Sequence, residues 1–96
     1  MTKIKINYSI TDGPSKFDLM ASLFDGKPVE FTQVTEMNYV FKIQARVQSV
    51  EQEDGSDHSW NLVIYVLPGT NAPLGLNKKY SGYYNSRTRK GTISIN

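Results

Sequence analysis

The sequence contains no cysteine among its 96 residues. Disulfide bonds and thiolate metal sites are therefore excluded, and so is catalysis by a cysteine nucleophile. A chain without cysteine is compatible with a reducing compartment, and we expect a cytoplasmic protein. The length suits one small domain, spanning residues 1–96, with a single hydrophobic core.

Long hydrophobic runs are also absent from the sequence. The longest extends from Leu62 to Leu67, whereas a helix that spans a bilayer needs about 20 apolar residues. The amino-terminal stretch MTKIKINYSI alternates polar with apolar residues, and a secretory signal would need a continuous apolar stretch there. We therefore expect no membrane partner, and we interpret this stretch as a strand of the mature protein.

Groups suited to catalysis or metal binding are few. His58 is the only histidine, and it lies beside Asp57 in a polar turn. Because neighbouring residues in a turn tend to point apart, we do not expect Asp57 to orient the imidazole. The turn lacks the ligand spacing of an EF-hand and the pocket of a general acid, although it holds four carboxylates, Glu51, Glu53, Asp54 and Asp57. We expect no enzymatic activity, no metal and no cofactor.

Negative charge is missing from the carboxy-terminal part of the chain. All nine acidic residues lie at or before Asp57, where six basic residues leave a charge of −3. The remaining residues, 58–96, contain five basic residues and no acid, which gives +5. This asymmetry suggests an anionic partner, unless folding places the two parts side by side and their charges cancel.

The first part of the chain predicts a strand followed by a short helix. Every second residue of KIKINYSI is apolar, the period of a half-buried strand, and the buried face would carry Ile4, Ile6, Tyr8 and Ile10. Ser15 and Asp18 have the spacing of a capping box, and Gly26 with Pro28 supplies a stop. The residues between them form an apolar stripe that we expect to pack on the sheet, made of Phe17, Met20, Ala21 and Phe24.

The rest of the chain predicts antiparallel sheet. VEFTQVT is rich in β-branched residues, and the alternation in YVFKIQARV and WNLVIYVL predicts a long hairpin over residues 39–67. Val63 and Tyr65 indicate that its second arm is central and covered on both sides, because the core face already holds Trp60, Leu62, Ile64 and Val66. PGTNAPLGLN predicts a loop, and YSGYY and GTISI predict two more short strands.

The order of these elements predicts an α+β protein that is mainly β. We expect an antiparallel sheet of about five to six strands, curled or barrel-like, with one short helix after the first strand. If the helix instead connects two parallel strands, a right-handed crossover and a mixed open sheet would result. Both arrangements use the same core residues.

The segment from Lys78 to Ile93 is the candidate binding site, since it holds three tyrosines and five basic residues without a carboxylate. Tyr80 and Tyr84 are expected to share a strand face with Gly82 between them, which would leave a slot for a flat ligand, while Tyr83 points to the other face. The cations beside the slot would be Lys78, Lys79, Arg87, Arg89 and Lys90. Aromatic rings combined with cations are typical of single-stranded nucleic-acid binding, which is the leading functional hypothesis.

Other interpretations use the same residues. Tyrosine is a favoured strand residue and basic side chains protect strand edges, so the segment is also typical of an ordinary hairpin. Tyrosine and arginine are enriched at protein interfaces, which suggests an interaction or inhibitor module, of the accessory type that mobile genetic elements encode, docking on an acidic protein. Assembly into a homo-oligomer through an exposed strand edge is a further alternative.

Overall fold

The computed structural model describes residues 6–53 and 55–95, and within them the chain forms six β-strands and one α-helix. In chain order these are β1 (Ile6–Ile10), α1 (Lys16–Asp25), β2 (Val29–Val34), β3 (Val40–Gln52), β4 (Ser59–Val66), β5 (Lys79–Asn85) and β6 (Lys90–Ile95). The predicted class, α+β and mainly β with one short helix after the first strand, is confirmed. Ile4 of the predicted first strand lies outside the described residues. The described part of the chain has no helix with the length and apolar character needed to cross a membrane.

The strands form one antiparallel sheet that is nearly closed into a barrel. Their order is β1-β6-β5-β4-β3-β2, and every described strand pair is antiparallel. The two outer strands meet where the Thr11 N–H donates to the Thr32 carbonyl and the Thr32 N–H donates to the Asp12 carbonyl, each at 2.8 Å. The alternative with a helix between parallel strands is therefore wrong, because the helix connects the two edges that close the barrel.

The barrel interior is filled by alternate residues of the strands. In β1, Tyr8 and Ile10 are buried while Asn7 and Ser9 are exposed, as the alternation predicted. The predicted core face of β4 is also confirmed, because its four members are all buried. Apolar side chains from every strand join them, as do Leu19 of α1 and Leu74 of the long loop.

The outer face of β4 differs from the prediction. β4 is central, with β3 and β5 on either side, but Val63 and Tyr65 on its outer face are only half-buried. The single helix does not cover this face, because it packs on β3 and β2 instead. The prediction that β4 is covered on both sides is therefore wrong, and its outer face is open to a ligand.

Helix α1 has the predicted ends. Ser15 is the N-cap, and its Oγ accepts a hydrogen bond from the Asp18 N–H at 3.2 Å. Among the described hydrogen bonds, none runs from the Ser15 N–H to the Asp18 carboxylate, so half of the predicted capping box forms. Gly26 ends the helix with φ of 70°, a left-handed conformation that glycine adopts at little cost.

The buried face of α1 is not the predicted one. Leu19 is fully buried against the sheet, and the buried Ser22 Oγ accepts a hydrogen bond from the Val47 N–H at 2.8 Å. Val47 lies past Ala45, where the pairing of β3 with β2 ends, so its N–H needs an acceptor from outside the sheet. Of the stripe predicted to pack on the sheet, Met20 is half-buried against the core, but the two phenylalanines point away, since Phe17 is 88% exposed and Phe24 is 77% exposed.

Tyr84 joins β5 to the parts of the chain that flank α1. Its ring is 1% exposed and packs edge-on against Phe31 of β2, with ring centroids 5.5 Å apart. Its hydroxyl donates a hydrogen bond to the Pro14 carbonyl at 2.7 Å. Gly13 allows this approach, because a Cβ at that position would lie 2.6 Å from the Tyr84 hydroxyl oxygen.

The segment after β4 is a loop, as predicted, and it is fastened to β3. The Leu67 N–H donates to the Gln44 carbonyl at 2.7 Å, and the Asn71 N–H donates to the Lys42 carbonyl at 3.0 Å. Leu74 is buried and belongs to the core cluster. The loop therefore covers the end of the barrel that lies away from the turn between β5 and β6.

We predict opposite effects for removing the hydroxyl groups of the two buried tyrosines. The Tyr8 hydroxyl is buried and has no partner among the described residues, so Tyr8→Phe should leave the free energy of unfolding unchanged or raise it by up to about 1 kcal/mol. Tyr84→Phe removes the hydrogen bond to Pro14 and should lower it by about 1–2 kcal/mol. Urea unfolding at neutral pH measures both changes. A loss for Tyr8→Phe as large as that for Tyr84→Phe would contradict this description of the interior.

The buried tyrosines also predict that stability falls in alkaline solution. Burial raises the pKa of Tyr8 to about 12 and raises the pKa of Tyr84 further, whereas an unfolded tyrosine has a pKa of about 10. Above pH ~10 the unfolded state therefore releases protons that the folded state keeps, and the free energy of unfolding decreases with pH. Urea unfolding between pH ~9 and ~12 should show this decrease, and Tyr8→Phe should reduce it. A stability that stays constant over this range would refute the prediction.

Candidate functional site

The turn between β5 and β6 is rigid and presents basic side chains to solvent. The Asn85 Oδ1 accepts hydrogen bonds from the N–H groups of Arg87 and Thr88 at 2.9 and 3.0 Å. Arg89 has φ of 60°, and its N–H donates to the Asn85 carbonyl at 2.8 Å. The side chains of Arg87, Arg89 and Lys90 are exposed, so the predicted solvent-exposed basic tip is present.

The predicted stacking slot between Tyr80 and Tyr84 does not exist. Both residues and Gly82 lie on the face of β5 that lines the barrel, where Tyr84 is 1% exposed. Tyr80 is half-buried, and its hydroxyl accepts a hydrogen bond from the Gly75 N–H at 2.9 Å. Tyr83 is on the outer face, as predicted, and is 37% exposed. It is therefore the one tyrosine of this hairpin whose ring lies on the open face.

The five basic residues of the hairpin form two groups. Lys78 and Lys79 lie at the start of β5, and the other three lie at its far end. The strand has seven residues, so the groups are roughly 20 Å apart. None of the five forms an ion pair within the described residues, where the ion pairs are Lys42 with Glu30 and His58 with Asp57.

The basic turn shares a shallow depression with the first turn of α1. Lys16, Asp57, His58, Ser86 and Arg87 line this depression. It is held by a hydrogen bond from the Ser86 N–H to the His58 carbonyl at 2.9 Å. Lys16 extends toward the barrel, with its Nζ 5.6 Å from the centroid of the Trp60 ring. The shared depression of Lys16 and Arg87 could not be predicted from the sequence, because they are 71 residues apart and their elements come together only in the closed barrel.

Asp57 and His58 are in contact, against the prediction that they point apart. The Asp57 Oδ1 lies 3.0 Å from the His58 Nδ1, and this hydrogen bond is the main cause that holds the pKa of Asp57 below its usual value. The exposed bend that carries the pair turns both side chains to the same side. An acidic residue therefore lies among the basic ones, so part of the charge asymmetry of the chain is cancelled at this depression.

Ser86 shares the depression with this pair, and the three residue types are those of an acyl-transfer triad. The Ser86 Oγ donates to the His58 carbonyl at 3.3 Å and accepts a hydrogen bond from the Trp60 Nε1 at 3.1 Å. A nucleophilic serine needs its hydroxyl on the imidazole instead. This arrangement therefore lacks the contact on which such catalysis depends.

The outer face of α1 carries Phe17, which at 88% is the most exposed of the large apolar side chains in the described part of the chain. Phe17 and Phe24 lie seven residues apart, close to two helical turns, with Met20 and Ala21 between them on the same face. Met20 and Ala21 are half-buried, whereas both phenylalanine rings are largely exposed. We call these four residues the helix stripe. The predicted apolar spacing is present, but Phe17 and Phe24 face solvent instead of the sheet.

A second apolar surface lies at the tip of the hairpin formed by β2 and β3. Its turn is fixed by a hydrogen bond from the Thr35 N–H to the Tyr39 carbonyl at 2.9 Å. The exposed residues here are Val34, Met37, Tyr39 and Val40. The predicted hairpin begins at residue 39, but Tyr39 precedes β3 and its side chain is exposed.

The interior and the acidic turn offer little to a small ligand. The barrel cavity lined by Phe31, Ile64 and Tyr84 has a volume of about 10 Å³, which is room for at most one water molecule. In residues 6–53 and 55–95, no three His, Asp or Glu side chains are grouped as metal ligands would be. Binding functions are therefore to be sought on the outer surface.

No protein-family model, curated protein or solved structure matches this chain. A proposal for its function therefore rests on the surfaces described above.

Proposed function

We propose that the protein is an interaction module that docks the helix stripe of α1 into an apolar groove of a partner protein. The observation that carries this proposal is the exposure of Phe17 and Phe24, at 88% and 77%, on one face of one helix. Burying a phenylalanine side chain stabilises a protein or a complex by roughly 1.5–3 kcal/mol. Because both rings are exposed to water in the free protein, a partner that buries them gains this free energy on binding.

The spacing and rigidity of α1 suit this mode of binding. Helices that dock in grooves present anchors at positions i, i+3, i+4 and i+7, which are the positions of Phe17, Met20, Ala21 and Phe24. Caps at both ends, the buried Leu19 and the hydrogen bond between Ser22 and Val47 fix the helix on the barrel. The helix is therefore already ordered before a partner binds, which lowers the conformational-entropy cost of binding.

The charges at one end of the stripe favour an acidic rim on the partner. Lys16 precedes Phe17 and lines the depression together with Arg87, while Asp57 cancels part of their charge. Carboxylates of a partner would meet two cations there beside an aromatic anchor. Aromatic residues and arginine are the side chains most often responsible for binding energy at protein interfaces.

The proposal predicts that replacing both phenylalanines abolishes partner binding without unfolding the protein. Phe17→Ser/Phe24→Ser should keep the melting temperature of the parent because both rings are exposed. It should capture at least about tenfold less of the partner from a lysate of the source cell, since each ring contributes roughly 1.5–3 kcal/mol. The captured protein is then purified, and its dissociation constant with each variant is measured by calorimetry.

The control is Met37→Ser/Tyr39→Ser, which removes two exposed apolar residues from the tip of the hairpin between β2 and β3. It should bind the purified partner as the parent does. Equal loss in both double variants, or none in either, would reject the helix stripe as the docking surface. Light scattering of the parent over a range of concentrations tests whether a second copy of the chain binds the helix stripe instead. A dimer that forms in the parent and not in Phe17→Ser/Phe24→Ser would assign the stripe to self-association.

A further inference from the structure

We infer that the outer face of β3, β4 and β5 is a binding site for single-stranded nucleic acid, separate from the helix stripe. The observation is a row of three residues in register across the strands. Tyr65 of β4 pairs with Arg46 of β3 on one side and with Lys79 of β5 on the other. Residues paired directly across strands point to the same face. One aromatic ring therefore lies between two cations on an open sheet surface.

The ring is held in place and the cations are available. The Tyr65 hydroxyl donates to the Asn77 Oδ1 at 3.2 Å, which fixes the half-buried side chain at one end. Arg46 and Lys79 are exposed, and neither forms an ion pair within the described residues. Lys78, next in the chain to Lys79, is also exposed. The row thus combines a flat aromatic surface with positive charge on both sides.

A shallow trough continues from this row along the outer sheet surface. Val63 and Tyr83 lie in it, and Tyr83 is on the same face of β5 as Lys79, about 13 Å further along the strand. The rest of the trough is lined mainly by small or polar side chains, including Ser49, Asn61, Ser81, Thr92 and Ser94, and it holds one carboxylate, that of Glu51. A flexible strand can lie on such a floor without a steric barrier, and its sugar and phosphate groups find hydroxyl and amide partners there.

These features match the chemistry of an unpaired nucleic-acid strand. Bases stack on exposed aromatic rings while cations follow the phosphates, and here Tyr65 and Tyr83 would supply the rings. Arg46 and Lys79 lie at one end of the trough, and Arg87 and Lys90 lie beyond the other end. A duplex has its bases stacked on each other and cannot offer them to the rings. The expected stacking pair of Tyr80 and Tyr84 is thus replaced by Tyr65 and Tyr83, while Lys78 and Lys79 keep their role.

Fluorescence anisotropy of a labelled oligothymidylate, titrated with the protein at two salt concentrations, tests the site. Tyr65→Leu should weaken binding about tenfold through lost stacking, and Tyr65→Phe should bind as the parent does. Arg46→Gln and Lys79→Gln should each reduce the slope of log affinity against log salt by about 0.7. Arg46 and Lys79 are exposed, so these variants remain informative even if Tyr65→Leu does not fold.

The matched control is Lys27→Gln, which removes the same charge from an exposed residue beyond the end of α1. It should leave affinity and salt slope unchanged, and Phe17→Ser/Phe24→Ser should bind the oligonucleotide as the parent does. The inference is overturned if the parent does not bind at low salt, or if it binds duplex as tightly as single strand. It is also overturned if Lys27→Gln weakens binding as much as Lys79→Gln, since binding would then follow total charge alone.

Discussion

The burial of Tyr84 is the interaction on which the rest of the structure depends. Its ring packs on Phe31 of β2 and its hydroxyl bonds to the carbonyl of Pro14, so one side chain joins the carboxy-terminal hairpin to both ends of the segment that contains α1. The nearby bonds between Thr32 and the residues after β1 close the barrel. With that segment fixed, α1 buries Leu19 and Ser22 against the sheet, and Met20 and Leu23 are half-buried beside them. The outward direction of Phe17 and Phe24 follows from this attachment.

The strand pattern could be predicted from the sequence because burial in a sheet repeats every two residues. The alternation in β1 and β4 identified the buried faces correctly, and glycine and proline marked the helix end and the long loop. The helix face was assigned wrongly because α1 carries two apolar faces. Leu19 and Leu23 pack on the barrel, with Met20 half-buried beside them, whereas the rings of Phe17 and Phe24 lie on the opposite side. Periodicity reports that a face is apolar, but the face that is buried depends on tertiary contacts, here the packing of Leu19 and the hydrogen bond from the Val47 N–H to the Ser22 Oγ.

The candidate sites depended on strand register, which the sequence does not contain. Alternation along β5 predicts that Tyr83 faces away from Tyr80 and Tyr84. It does not predict that Tyr80 and Tyr84 point inward, because that direction is set by closure of the barrel. The row of Arg46, Tyr65 and Lys79 comes from three strands, and the meeting of Lys16 with Arg87 requires the barrel to bring α1 to the last hairpin. The proposed binding surfaces are made by tertiary structure, so the basic and aromatic composition of one segment supplies only part of the residues that form them.

The orientation of α1 leaves two phenylalanines exposed to solvent, and the proposed docking surface depends on it. The most direct measurement is paramagnetic broadening of side-chain NMR signals by a soluble probe added to the isolated protein at low concentration. The structure predicts strong broadening for the rings of Phe17 and Phe24 and almost none for the methyl groups of Leu19, which is fully buried. Protected phenylalanine rings together with broadened Leu19 methyl signals would show that α1 packs on the barrel through its other face.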